Sequence, residues 1–141
     1  TPCADLVIAA VDNVKTRRLI QEDVPRVIIN GEMYADELTI SRHDNPLEEA
    51  CLMCLYPNYV GESQEAYPSL PFTALLAGAL MLGEVIKERV PSLRKFRLKN
   101  MLMVQGMLKS PCWILIHHKK VDSCICRRDE FVRKYCHYLK L

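Results

Sequence analysis

The sequence predicts an α/β domain built on a mixed β-sheet, and the order of three segments carries this prediction. Residues 6–11 and 27–29 are short, nearly unbroken apolar runs, which are typical of strands covered on both faces. Residues 14–22 between them favour a helix, which the Val24-Pro25 pair ends. A strand, a helix and a second strand in this order are typical of an α/β sheet.

The second strand is expected to end at Asn30-Gly31, because this pair is a turn signal. Residues 37–43 alternate loosely between apolar and polar side chains, which predicts a strand with one solvent-exposed face. A turn is expected at residues 44–46, where aspartate, asparagine and proline follow one another.

The second half of the chain predicts two helices and a pair of strands. Pro71 begins a helix whose charged final turns, from Glu84 onward, are expected to enter solvent before Pro91. Two β-like runs within residues 96–116 predict an antiparallel pair. The tail, residues 128–141, is expected to dock through one helical face. That face consists of Phe131, Tyr135, Tyr138 and Leu139.

Composition and charge indicate a globular chain that stays out of membranes. Of the 141 residues, 50% are apolar and 26% are charged, and the longest apolar run, residues 72–82, is far too short to span a bilayer. The net charge of +2 hides an asymmetry, since residues 1–70 carry a net −7 and residues 71–141 a net +9. Attraction between the two halves within one fold is the favoured explanation, and a basic face for an acidic partner is the alternative.

The sequence composition also favours a cytoplasmic location and argues against nucleic-acid binding. The opening residues lack the basic leader and apolar core of a signal peptide, and an odd number of cysteines favours a reducing compartment. We therefore expect a cytoplasmic protein. Nucleic-acid binding is not favoured, because the basic residues near the C-terminus have few aromatic residues between them.

Polar residues follow the first strand at the point where an open α/β sheet binds ligands. Asp12 and Asn13 come directly after the apolar run, and Thr16, Arg17 and Arg18 follow at helical spacing. A carboxylate, an amide and a cationic turn suit a metal-bound phosphate group. The alternative is that Asp12 or Asn13 caps the next helix, a position that both residue types favour.

Four of the seven cysteines form two close pairs. Cys51 and Cys54 have the spacing of a zinc knuckle, and Cys124 and Cys126 follow about 70 residues later with a tighter spacing. One pair alone would also fit a redox site, whereas four thiolates predict a structural zinc ion with no open position for catalysis. Alternative ligands are His117, His118 and Cys136. Cys112, in a β-like run, is expected in the core.

The order of these features resembles the ThiF/MoeB family, the adenylyltransferases related to ubiquitin-activating enzymes. The matching segments are DLVIAAVDNVKTRR, VPRVIINGEM, ACLMCLYP and PFTALLAGALMLGEVIKE, followed by the late cysteine pair. The resemblance extends from residue 4 to about residue 131, and DN-x-x-x-R together with CxxC-L-x-P is fairly specific. It implies the C-terminal half of a Rossmann-like adenylation domain.

The resemblance also implies a role for each matching residue. Asp12 matches the aspartate that helps to hold ATP-bound magnesium and is required for adenylation, and Asn13 and Arg17 match positions near the nucleotide. Cys51, Cys54, Cys124 and Cys126 match the zinc ligands, which fasten the ends of a crossover loop. The family activates the C-terminal carboxylate of a ubiquitin-like or sulfur-carrier protein as an acyl-adenylate, and its members commonly dimerise.

On this basis residues 1–141 are expected to form a single partial domain. Residues 1–45 would end the nucleotide-binding sheet, residues 46–70 would form the knuckle and crossover loop, and residues 71–141 would supply a helix, antiparallel strands and a C-terminal helix. No G-x-G-x-x-G phosphate loop occurs here, so that half is expected on a longer polypeptide or on a separate chain. Without it, the chain should bind ATP poorly.

The leading hypothesis is therefore a portion of an ATP-dependent adenylyltransferase, associated with the missing half or with a second copy. The expected crossover loop, residues 55–70, contains no cysteine, which argues against a thioester intermediate there. A non-catalytic partner subunit of such an enzyme is the first alternative. A zinc-stabilised protein-interaction domain is the second.

Overall fold

The computed structural model describes residues 4–59 and 69–139, and within them it contains one five-stranded mixed sheet. The strands, in both chain and spatial order, are β1 (Leu6–Ala9), β2 (Val27–Tyr34), β3 (Glu37–His43), β4 (Met101–Gln105) and β5 (Cys112–Ile116). β1 runs parallel to β2, and all other neighbours are antiparallel. The predicted α/β class with a mixed sheet is confirmed.

Three helices accompany the sheet in the described part of the chain. They are α1 (Val14–Glu22), α2 (Pro71–Arg89) and α3 (Asp129–Leu139). Proline at the first position of α2 lacks only an N–H that the helix could not have used, so it favours the helix start. Short 3₁₀ turns occupy Leu52–Leu55, Pro91–Phe96 and Ile125–Arg127. None of the described helices combines the length and the apolar composition that a membrane crossing requires.

β1 is an edge strand, so the expectation of a strand covered on both faces was wrong. It pairs with β2 alone among the described strands, and Ile8 is 45% exposed. The strand also ends at Ala9, because residues 10–13 leave the sheet to enter α1. Among the described residues, no strand pairs with the outer edge of β1, and part of one apolar side chain there is exposed.

β2 continues through Asn30-Gly31, where a turn was expected. Asn30 is fully buried and lies opposite Ser41 of β3, so its polar side chain serves the interior rather than a turn. Gly31 allows α2 to approach, because a Cβ atom there would lie 2.7 Å from Met81 Sδ. β3 lacks the expected solvent-exposed face, since its last three residues are buried and hydrogen-bonded.

The acidic residues near the end of α2 are buried, contrary to the expectation that they enter solvent. Glu88 is 5% exposed and accepts hydrogen bonds from Arg26 at 3.0 Å, Arg42 at 2.6 Å and Arg97 at 2.8 Å. Glu84 accepts from the backbone of residue 98. Burial alone would raise the pKa of Glu88, but the three guanidinium groups hold it at about 2.

Apolar side chains occupy the exposed side of α2 instead. Leu75 is 77% exposed, Leu82 57% and Ile86 46%, and their spacing places them along one stripe of the helix. A contiguous exposed apolar stripe is typical of a contact surface. Cys112 is also exposed rather than buried in the core, and it lies on the second edge strand, β5, which pairs with β4 alone among the described strands.

The C-terminal helix docks as expected. Phe131 and Tyr135 of α3 are buried and pack in one cluster with the four close cysteines, and Tyr138 is partly buried against the same cluster. The side chain of Leu139 lies outside the described residues. The helix therefore covers the cysteines with aromatic side chains and keeps their surroundings dry.

Replacing Glu88 with Gln is expected to lower the free energy of unfolding by about 3 kcal/mol, because Arg42 would remain buried without its anion. The matched control is Glu22→Gln, which breaks an exposed pair with Arg18 and should cost less than about 0.5 kcal/mol. Urea unfolding at neutral pH measures both. Equal stabilities of the two variants would contradict the role of Glu88.

The stability difference between the wild type and Glu88→Gln is expected to depend on pH. Folding lowers the pKa of Glu88 from 4.5 to about 2, so its contribution is present above pH 4.5 and is lost as the pH falls toward 2. The stability difference between the wild type and Glu88→Gln should therefore shrink over that interval. A difference that stays constant between pH 5 and about 2 would show that Glu88 does not titrate as described.

Candidate metal centre and adjoining pocket

The four cysteines of the two predicted pairs lie together in the structure. Cys51 and Cys54 bound one short turn, and Cys124 and Cys126 come from the segment before α3. Their sulfur atoms all lie within 4.8 Å of one another. The Sγ–Sγ distances are 3.4 Å for Cys51–Cys124, 3.7 Å for Cys54–Cys126 and 3.9 Å for Cys51–Cys54. Four sulfurs around a zinc ion at 2.3 Å would be about 3.8 Å apart, so this cluster could hold such an ion with little movement.

The protonation of the cluster also favours a cation. Hydrogen bonds, the strongest from Cys126, lower the pKa of Cys124 to about 7, and similar bonds lower the pKa of Cys54. The pKa values of Cys51 and Cys126 are raised, chiefly because each thiol donates to Cys124. Thiolates crowded into a buried site repel one another, and a divalent cation would replace the shared protons.

Neighbouring groups orient the cluster without entering it. The N–H of Val121 donates to Cys54 Sγ at 3.5 Å, and His118 Nε2 bonds to the carbonyl oxygen of Cys54 at 2.7 Å. The suggested alternative ligands His117, His118 and Cys136 are absent from the sulfur cluster, which among the described residues consists of the four cysteines alone. Such outer contacts fix the orientation of metal ligands.

A buried histidine holds the start of the cysteine turn, which we define as residues 51–54. Burial lowers the pKa of His43, so its ring is neutral. Its Nδ1 donates to the carbonyl oxygen of Ala50 at 2.9 Å, because a carbonyl can only accept. Its Nε2 must then accept from the Ser41 hydroxyl at 3.0 Å. The residue before Cys51 is thereby bonded to β3.

A pocket of about 610 Å³ opens at the carboxyl end of β1, where the sequence places Asp12 and Asn13. Asn13 caps α1, since its Oδ1 accepts from the N–H of Thr16 at 2.8 Å. Its amide nitrogen donates to Asp12 Oδ1 at 2.9 Å. The capping alternative therefore describes Asn13, while Asp12 is exposed at the pocket with a second carboxylate oxygen for a ligand.

Arg17 lines the pocket, but its guanidinium group points inward. It is 5% exposed, and its Nε donates to Asn30 Oδ1 at 3.0 Å. Its Nη2 donates to the carbonyl oxygens of Val11 at 2.5 Å and Gly31 at 3.3 Å. Arg17 thus joins the segment after β1 to the middle of β2 and shapes the wall of the pocket.

The residues that sequence reasoning missed include Glu32 and Tyr56 of this wall and the buried Asn30 behind it. Asn30 Nδ2 donates to Glu32 Oε1 at 2.8 Å, and the Tyr56 hydroxyl donates to the same oxygen. Burial and the Glu32 carboxylate raise the pKa of Tyr56, so the phenol keeps its proton. An asparagine at the end of a buried apolar run was a signal for Asn30, because it must find partners there. No local pattern identifies the other two.

The arrangement suits a ligand that carries a metal cation. Asp12, Glu32 and Glu37 line the pocket, and Arg17 is its single lining guanidinium group among the described residues. A bare phosphate would be repelled by this excess of carboxylates, whereas a magnesium-bound phosphate would not. No protein-family profile matches this chain, and no curated protein matches it at a significant level. The chemistry of the two sites is therefore the basis for assigning a function.

We expect purified protein to bind one zinc ion through the four cysteines. Cys126→Ser should weaken zinc binding by at least roughly 100-fold, more than the loss of an outer contact would, because it removes a ligand. The matched control is Cys112→Ser, which changes an exposed cysteine outside the cluster. Native mass spectrometry with a competing chelator measures both affinities. Equal zinc binding by the two variants would contradict the assignment.

Proposed function

We infer that this chain is the C-terminal half of a Rossmann-like adenylation domain similar to those of the ThiF/MoeB family. One observation carries this inference. The exposed carboxylate of Asp12 follows a parallel strand beside a pocket, and the wall of that pocket continues through Tyr56 into the turn that bears Cys51 and Cys54. The four-cysteine cluster is a zinc knuckle in this proposal, with a structural role.

The proposed reaction activates the C-terminal carboxylate of a ubiquitin-like or sulfur-carrier protein with ATP and magnesium. A carboxylate oxygen bonds to the α-phosphorus, the bond from that phosphorus to the bridging oxygen breaks, and pyrophosphate leaves with its electron pair. Asp12 would hold the magnesium ion, which offsets negative charge as two anions meet. Asn13 would orient Asp12 through their 2.9 Å hydrogen bond.

Arg17 has a different role in this proposal from the one suggested by position alone. Its guanidinium hydrogen bonds reach Val11, Asn30 and Gly31, so it would hold the pocket in shape rather than contact a phosphate. Positioning of this kind contributes to catalysis because reacting groups must meet in a narrow range of geometries.

In this proposal the chain associates with a half that carries the phosphate loop, or with a second copy of itself. The outer edge of β1, with which no described strand pairs, could accept another strand. The exposed stripe of α2 offers apolar side chains, including Leu75 and Leu82. Both features are typical of surfaces that become buried in an assembly. The phosphate-loop half would complete the nucleotide site.

A second candidate function is a zinc-stabilised protein-interaction domain. The observation that favours it is an apolar groove of about 560 Å³, with Leu80 on one side and Leu102 and Leu115 on another. Arg97 and Lys99 line the same groove and suit an acidic partner. This candidate requires no nucleotide chemistry, so the experiment on Asp12 separates the two.

We expect Asp12→Ala to reduce ATP–pyrophosphate exchange by at least roughly 100-fold in the enzyme assembled with its phosphate-loop half, because magnesium would lose a ligand. The matched control is Asp5→Ala, an exposed aspartate before β1 that does not line the pocket. Unchanged exchange in Asp12→Ala would exclude the catalytic role and favour a non-catalytic subunit. An absence of exchange in the assembled wild type would favour the interaction domain.

A further inference from the structure

The pocket wall and the cysteine turn share a continuous set of hydrogen bonds. Asn30 is at its centre, because its side chain accepts from Arg17 and donates to both Glu32 and Ser41. The N–H of Leu52, inside the cysteine turn, donates to Gln21 Oε1 of α1 at 2.8 Å. Polar groups of the wall therefore reach the cysteine turn by several routes.

The first route runs from the end of the turn. Tyr56 follows Cys54 by two residues, and its N–H donates to the carbonyl oxygen of Met53 at 3.1 Å. Its hydroxyl donates to Glu32, and its ring lies under the Arg17 guanidinium, 5.7 Å from ring centre to carbon. The position of this ring depends on the turn, because little chain separates them.

The second route runs from the start of the turn. The Asn30 amide donates to Ser41 at 3.3 Å, and Ser41 bonds to His43, which bonds in turn to the carbonyl oxygen of Ala50. Cys51 is the next residue. All these side chains are almost fully buried, so each broken bond would leave a polar group without a partner.

A metal ion at the four cysteines would fix both ends of this arrangement. It would join the cysteine turn to the segment that carries Cys124, which is 73 residues from Cys51. Without the ion, the sulfurs themselves are joined only by thiol hydrogen bonds among the described residues, and the hydrogen bonds of Val121 and His118 to Cys54 are the further polar links between the two segments. The ion would therefore restrict the turn and, through the turn, the Tyr56 ring and Gln21.

We propose that Tyr56 and Glu32 are positioning residues for the Asp12 pocket, and that metal binding at the four cysteines sets their geometry. Tyr56 holds Glu32, Glu32 holds Asn30, and Asn30 holds Arg17 against the carboxyl end of β1. The proposal rests on the proposed function only for the identity of the pocket ligand. The coupling between the two sites is a property of this chain.

Hydrogen–deuterium exchange of the full chain, with zinc and with zinc removed by a chelator, tests the coupling. Zinc removal should speed amide exchange in residues 10–22 of the wild type. With zinc bound, Tyr56→Phe should speed exchange in the same segment about 10-fold, because it removes a hydrogen bond to a carboxylate. Exchange in β4, which lies outside the network, should stay unchanged in this variant.

Tyr59→Phe is the matched control, because none of the described contacts includes a hydrogen bond from the Tyr59 hydroxyl. It should leave exchange in residues 10–22 as in the wild type. Glu32→Gln, which keeps an acceptor oxygen, should retain more protection there than Glu32→Ala. Unchanged exchange in residues 10–22 of zinc-bound Tyr56→Phe would overturn the proposal. A uniform increase across the chain would overturn it as well, by indicating general destabilisation.

Magnesium-ATP binding by the assembled enzyme separates this proposal from the proposed function. Weaker binding by Tyr56→Phe than by Tyr59→Phe would support positioning of the pocket. Equal affinities of Tyr56→Phe and the wild type would overturn positioning, yet would leave adenylation intact, since Asp12→Ala tests that reaction independently.

Discussion

The candidate site depends on the hydrogen bonds made by the buried side-chain amide of Asn30. This amide lies in the middle of the sheet with no exposed surface, so each of its donors and its acceptor needs a protein partner. Those partners come from α1, from β2 itself and from β3. A single residue therefore fixes the distance between the helix that follows Asp12 and the two strands behind the pocket. Removal of any partner would leave a buried polar group unsatisfied, which keeps the arrangement unique.

A second buried polar cluster organises the opposite part of the fold. Glu88 gathers three arginines from before β2, from β3 and from the segment after α2. A buried ion pair adds little net stability, because desolvation opposes the attraction, but it penalises every packing that separates the partners. The Glu88 and Asn30 clusters thus specify how α2 and α1 sit on one sheet, while the apolar clusters that join each helix to the sheet supply the driving force.

Local patterns predicted the elements better than they predicted their surroundings. The bounds of α1 and α2 followed from helix propensity and from prolines, which act within one turn of the chain. The exposure of β1, of Cys112 and of the two glutamates near the end of α2 was predicted wrongly, because exposure depends on segments far away in the sequence. The local sequence predicts that Glu88 faces solvent, because its partner Arg26 lies 62 residues earlier in the chain. The grouping of four cysteines was predictable because metal chemistry restricts their spacing, whereas the contact of Tyr56 with Glu32 has no such rule.

The cysteine cluster is another contact between segments that lie far apart in the sequence, and it bears on the proposed chemistry. Bringing Cys51 to Cys124 closes a long loop, and the entropy lost in that closure must be offset by contacts formed at its ends. Those contacts include α3 packed on the cysteines, the hydrogen bonds between the sulfurs, and the bonds of His118 and Val121 to Cys54. Binding of a metal ion would add directly to folding stability at this point, because the unfolded chain does not present four ligands together. Metal binding would then affect the pocket through Tyr56, which follows Cys54 by two residues, through Gln21, which bonds to Leu52, and through His43, which bonds to the residue before Cys51. A structural ion placed here would thus help to define the geometry of the ligand site.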